Sequence, residues 1–97
     1  MTELVEIEYA SPLENADPDD DNIDVHVRLS DGRIYSFLIA TPKNIYRCMA
    51  NERIDYYFGT PPLFVSSLTR ECVERAIRAL LSEDNGRWLD LYGALQS

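Results

Sequence analysis

Two alternating runs that meet at an Asp-Gly step constrain this chain more than any other feature. Residues 23–30 (IDVHVRLS) put Ile23, Val25, Val27 and Leu29 on one face. That two-residue period marks a half-buried strand. Asp31-Gly32 follows, then RIYSFLIA at 33–40. Asp-Gly suits the positive φ values of a two-residue type I′ turn, so the runs are expected to form an antiparallel hairpin. Two-residue closure sets Leu29 opposite Ile34 and Val25 opposite Leu38 on one face. On the other it sets His26 opposite Phe37 and Arg28 opposite Tyr35. The second run is apolar on both faces, as expected of a central strand.

Other elements attach to this hairpin. Residues 3–9 (ELVEIEY) alternate, with Val5, Ile7 and Tyr9 inward and Glu6 and Glu8 outward. Residues 10–22 hold two prolines and a run of Asp, and read as a mobile acidic loop. Thr41-Pro42 is a good helix start, since Thr can cap and Pro suits the first helical position. Ile45, Cys48 and Met49 form the inner stripe of that helix, and Asn51 is a plausible end. Gly59-Thr60-Pro61-Pro62 breaks regular structure, and Leu63–Val65 reads as a short buried strand. Thr69 caps a further helix with an inner stripe of Val73, Ala76, Ile77 and Leu80. Asn85-Gly86 stops it, and Trp88, Leu91, Tyr92 and Leu95 recur at the spacing of a last short amphipathic helix.

The order is β-β-β-α-β-α-α. The 97 residues suffice for one domain, so an α+β fold is expected over 1–97. It is a mostly antiparallel sheet of about four strands with helices packed on one face. No apolar run reaches the ~20 residues of a membrane span. The first residues carry neither the basic nor the apolar region of a signal peptide, which points to a cytoplasmic protein. Cys48 and Cys72 are then expected as free thiols in a reducing compartment.

The formal charge is −8, and it is unevenly spread. Residues 1–24 hold nine carboxylates and no Lys or Arg; the rest hold eight carboxylates against nine basic side chains. A surface of this sign repels nucleic acid and anionic membranes and favours a basic partner.

Catalytic and metal motifs are missing from the sequence. His26 is the only histidine and has no nucleophile motif to serve. There is no G-x-S-x-G, H-E-x-x-H, Walker A or G-x-G-x-x-G. Asp17, Asp19 and Asp21 match the first three ligands of an EF-hand loop. However, Asn22 stands where Gly is needed and Arg28 where a bidentate Glu is needed. An acid pair for glycosidic chemistry needs a rigid cleft, which an Asp-rich loop does not supply. No enzyme activity, metal or cofactor is expected.

Two features suggest recognition of a partner. One is the acidic stretch of Glu14, Asp17, Asp19, Asp20, Asp21 and Asp24. The other is Asp55-Tyr56-Tyr57-Phe58 before the Pro-rich break. Tyr is enriched at interface centres, and aromatics beside carboxylates can anchor Arg and Lys. Phe58 is expected to fill the core, and Trp88 and Tyr92 to fasten the last helix.

The runs DGRIYSFLIATPKN (31–44) and PPLFVSSLTRECVERAI (61–77) resemble small immunity proteins of bacterial contact-dependent growth inhibition and related polymorphic toxin systems. The similarity covers roughly residues 23–92 and rests on turn, cap and core positions. It transfers no functional residue. It implies a protein that binds a cognate toxin domain, often a nuclease, and blocks its active site or substrate surface. The acidic charge agrees independently, because nucleases are basic and complementary charge steers association. The alternatives are a cytoplasmic adaptor without a toxin partner, as a monomer or a homodimer, and a mimic of DNA. The sequence leaves oligomeric state open.

Overall fold

The hairpin forms, but one residue away from the register that an Asp-Gly turn implies. In the computed structural model, which describes residues 3–59, 61–83 and 87–96, strands β2 (Asn22–Leu29) and β3 (Ile34–Ala40) pair antiparallel. Val25 lies opposite Phe37, His26 opposite Ser36, Val27 opposite Tyr35 and Arg28 opposite Ile34. The cause is a three-residue loop. Gly32 N donates to Leu29 O at 3.0 Å, and Leu29 N donates to Arg33 O at 2.9 Å. Only Gly32 takes positive φ, at 92°. This is a tight turn followed by a glycine bulge, the next commonest hairpin closure after the two-residue turn. A one-residue slip swaps the faces of a strand. Tyr35, Phe37 and Ile39 therefore enter the core, and Ile34, Ser36 and Leu38 turn outward.

Strand β1 (Leu4–Tyr9) pairs antiparallel with β2, with a register shift between Leu4 and Glu6. Val5 falls at this bulge and is exposed; the half-buried side chains are Leu4, Ile7 and Tyr9. The expected inward role of Val5 is corrected by that extra residue, which rotates the strand before its alternation starts.

Helix α1 (Pro42–Glu52) leaves the end of β3, capped by the Thr41 hydroxyl, which accepts from Asn44 N at 3.3 Å. It ends in a left-handed residue, Arg53, at φ 59°. Arg53 N donates to Ala50 O at 3.1 Å and Ile54 N to Met49 O at 3.0 Å, the paired bonds of a Schellman stop. Glycine is the usual residue there because a Cβ is strained at positive φ. Arg53→Gly is therefore expected to raise stability by up to ~1 kcal/mol, read as a higher urea midpoint with unchanged slope. A lower midpoint would show that the Arg53 side chain contributes more than its backbone strain costs.

Strand β4 (Leu63–Phe64) pairs parallel with the end of β3. Helix α2 (Arg70–Ser82) is capped by Thr69 and buries Val73, Ile77 and Leu80. Asn85 and Gly86, expected as its stop, lie outside the described residues. Helix α3 covers Arg87–Tyr92, and strand β5 (Gly93–Gln96) pairs antiparallel with β3. The sheet thus has five strands in the order β1-β2-β3-β4, with β5 beside the first half of β3. The central place of β3 explains why it is apolar on both faces.

The expected last helix is shorter than its periodicity suggested. Leu89 is buried and Leu91 exposed, and the chain re-enters the sheet at Gly93. The side chains of Trp88 and Leu95 lie outside the described set; Tyr92 is partly buried against the core. The cause is Gly93, whose missing side chain lets the backbone lie against the Phe37 ring.

One cluster joins the layers. Val25, Val27, Tyr35, Phe37 and Ile39 of the sheet meet Val73 and Ile77 of α2 and Leu89 of α3. The buried Tyr35 keeps its polar tip satisfied: its hydroxyl donates to Asp90 Oδ1 at 3.0 Å and accepts from Arg33 Nη1 at 3.0 Å. Burial, helped by the bond to Asp90, pushes that phenol above its ordinary pKa. The opposite sheet face, with Glu6, Glu8, Asp24, His26 and Arg28, is exposed. No helix among the described residues is long and apolar enough to cross a membrane.

Candidate partner interface

The acidic stretch is tied into the fold, contrary to a free loop. Residues 13–15 form a single 3-10 turn that buries Leu13. The Asp run then folds on its own side chains. Asp17 Oδ1 accepts from Asp19 N at 3.0 Å, Asp21 Oδ2 from Asp17 N at 3.2 Å, and Asp21 Oδ1 from Asn22 N at 2.8 Å. Asp side chains do this readily, because they are short enough to mimic a backbone turn. Leu68 N donates to Pro18 O at 2.8 Å and Thr41 N to Asp21 O at 3.2 Å, so both neighbouring connections hold the loop.

Asp20 fastens the loop to α1. Its Oδ2 accepts from Arg47 Nε at 2.8 Å and its Oδ1 from Asn44 Nδ2 at 3.1 Å. Asn44 Oδ1 accepts in turn from Asn22 Nδ2 at 2.8 Å. The Arg47 guanidinium holds the Asp20 carboxyl below its ordinary value of 3.8, with help from Asn44. A carboxyl depressed in the folded state adds stability above the unfolded pKa and loses it as pH falls through the folded one. The melting temperature of Asp20→Asn should therefore lie below that of the parent near neutral pH. The gap should close as pH drops below about 4. A gap that stays constant to about pH 2 would show that this pair does not titrate with folding.

The six acidic candidates thus divide. Asp20 and Asp21 turn inward and serve the loop. Asp17 and Asp19 stand exposed at its tip, Asp24 lies on the open sheet face, and Glu14 faces Arg70 at 3.7 Å. Four of the six are exposed and two are half-buried. Charge density along the chain hid this, because side-chain direction is set by the turn bonds and by strand alternation.

The aromatic segment occupies the other end of α1. Asp55 is exposed, as are Tyr56 (55%) and Tyr57 (41%). Phe58 is 83% exposed, which corrects its expected place in the core. Core positions are already filled by Tyr35 and Phe37 through the shifted register. Tyr56 and Phe58 stack, with centroids 5.8 Å apart and planes 9° from parallel. Beside them Met49, Ala50 and Ile54, with Tyr46 and Asp55, line an apolar recess of about 260 Å³. Tyr46 is 73% exposed.

Sequence reasoning missed Tyr46, Ala50 and Ile54. Tyr46, Met49 and Ala50 sit at i, i+3, i+4, a second apolar strip beside the inner stripe of α1. That spacing was the available signal. Arg47 and Arg53 are six residues apart, so loop anchor and aromatic segment stand about 9 Å apart along the helix. The acidic loop is thus anchored on α1 at Asn44 and Arg47, and the stacked Tyr56 and Phe58 follow the helix's far end.

A second apolar cleft, of about 400 Å³, lies between β4 and α2, lined by Leu63, Phe64, Ala76, Leu80 and Tyr92. On the open face, Ser36 Oγ and His26 Nδ1 are 2.9 Å apart. This replaces the expected pairing of His26 with Phe37, since the register places Phe37 on the other side of the sheet. Cys48 and Cys72 are free thiols, both half-buried. Among the described residues no group of three or more His, Cys, Asp or Glu is placed to hold a metal ion. Comparisons with family models, with curated proteins and with solved structures give no match to this chain.

Proposed function

We propose that this chain is an immunity protein, a cytoplasmic inhibitor that binds a cognate basic nuclease toxin domain and covers its active site or substrate surface. One observation carries the reading. Tyr46, Tyr56 and Phe58 stand in the open next to Asp55, although the core is closed without them. Exposed stacked aromatics beside carboxylates are costly to solubility and suit a surface that anchors Arg and Lys. The exposed carboxylates Asp17, Asp19 and Asp24 supply a field of the sign that draws a basic domain.

The division of labour follows from the physics of association. Charge at distance speeds encounter, and burial of rings slows dissociation. Asp17, Asp19, Asp24 and Glu14 steer; Asp55, Tyr56, Tyr57 and Phe58 hold. Asp20 and Asp21 act by shaping the loop. Protection of cells tests the reading. Expressed inside a bacterium together with its proposed cognate toxin domain, the chain should restore growth. Death at equal expression of both chains would reject the pairing and leave an adaptor role for the same surface.

A further inference from the structure

The recess at the far end of α1 is built by the turn that stops the helix. Arg53 takes the left-handed conformation, and Ile54 N donates back to Met49 O at 3.0 Å. The chain thereby turns back toward the strip of Tyr46, Met49 and Ala50, and Ile54 and Asp55 complete the recess with it. Its walls are apolar. Asp55 is the one charged residue among the described residues that line it.

That charge is not cancelled locally. Among the described residues Asp55 makes no ion pair. Its nearest cation along the chain, Arg53, is offset by Glu52, and neither lines the recess. Lys43 and Arg47 lie in the field of Asp20 toward the other end of the helix, and Arg47 is bonded to it at 2.8 Å. The end of α1 itself adds to the negative side, since a helix C-terminus carries a partial negative charge.

Size and chemistry select the occupant. At about 260 Å³ the recess is smaller than the roughly 300–1,000 Å³ of ordinary small-molecule pockets, and it suits a single long side chain. A purely apolar side chain would cover the walls but strip water from Asp55 with no partner in return. A side chain with an apolar stem and a cationic head satisfies both. Arginine does so better than lysine. Its planar guanidinium grips a carboxylate with two hydrogen bonds and lies flat against an aromatic ring, here the exposed Tyr46.

We infer that this recess receives one arginine side chain of a protein partner, its stem on Met49, Ala50 and Ile54 and its head on Asp55. The inference deepens the immunity reading and rests on it for the identity of that partner.

The test uses the full chain and blocked arginine (N-acetyl-arginine N-methylamide), with the blocked citrulline and lysine analogues as controls. The methyl signals of Ala50 and Ile54 are followed by NMR. Blocked arginine should shift both, with a dissociation constant on the order of 1 mM. Citrulline keeps the shape and loses the charge; it and lysine should each bind at least about fivefold more weakly. Asp55→Asn should remove the preference for arginine over citrulline. Ala50→Leu, which fills the recess, should weaken all three probes. Both positions are exposed, so the fold is kept. Equal binding of the three probes, no shift at either methyl up to about 20 mM, or unchanged selectivity in Asp55→Asn overturns the inference. The proposed cognate toxin domain separates the two claims. A tight complex that neither variant weakens overturns the arginine anchor and keeps the immunity reading. Selective binding of blocked arginine without any toxin complex keeps the arginine recess and removes the toxin.

Discussion

Gly93→Ala is expected to lower stability by about 2 kcal/mol, a fall of roughly 8–16 °C in melting temperature for a domain of this size. The reason is space. A Cβ at Gly93 would stand 2.8 Å from Phe37 Cζ and 2.9 Å from Leu89 O. Neither neighbour yields easily. Phe37 is 2% exposed and packed in the core, and Leu89 O belongs to the backbone of α3. The same contact holds β5 against β3, since Gly93 pairs with Phe37. Phe37→Leu removes the outer ring atoms and alone should cost about 1 kcal/mol. In the double variant the two changes should cost at least about 1 kcal/mol less than their sum, because one relieves the other. Strict additivity in thermal melts would show that Gly93 matters for some reason other than the ring.

The double variant Tyr56→Ala, Phe58→Ala should raise the dissociation constant for the proposed toxin partner by roughly 30- to 1,000-fold. Most of the change should appear as faster dissociation. Stability should move by no more than about 0.5 kcal/mol, because both rings are exposed and contribute little to folding. The stack matters for binding because one ring fixes the other, so less side-chain freedom is lost on docking. Asp20→Asn acts on the fold through Arg47 and Asn44, so its effect on binding should follow loop distortion. Unchanged binding by the aromatic double variant would move the interface away from the end of α1.

Local signals located most of the fold. Thr41-Pro42 and Thr69 mark the starts of α1 and α2 because capping depends on the residues themselves. The inner stripes of β2 and α2 follow from the periods of strand and helix. The errors came where one residue decides between two geometries. Asp-Gly serves both a two-residue turn and a three-residue turn with a bulge, and the second placed Tyr35 and Phe37 inside. That swap left Phe58 without a core position. Nothing local at Gly93 reveals a Phe ring from a distant strand. The fifth strand exists through that contact, so it was not visible in the period of residues 88–95.

The interface was legible in part. The sequence shows how many carboxylates there are and where the Tyr pair stands. Their directions depend on bonds between distant segments, such as Arg47 to Asp20 and Leu68 to Pro18. Those bonds separate acids that shape the loop from acids that face outward. Tyr46 escaped notice because a residue next to a buried stripe reads as part of that stripe until the helix is docked.

The most direct measurement is the association of this chain with the proposed cognate toxin domain at low and at high salt. The account predicts a dissociation constant of about 1 nM or less, and an association rate that falls at least about tenfold as salt rises. The dissociation rate should change little over the same range. Absence of binding at about 1 μM would contradict the account.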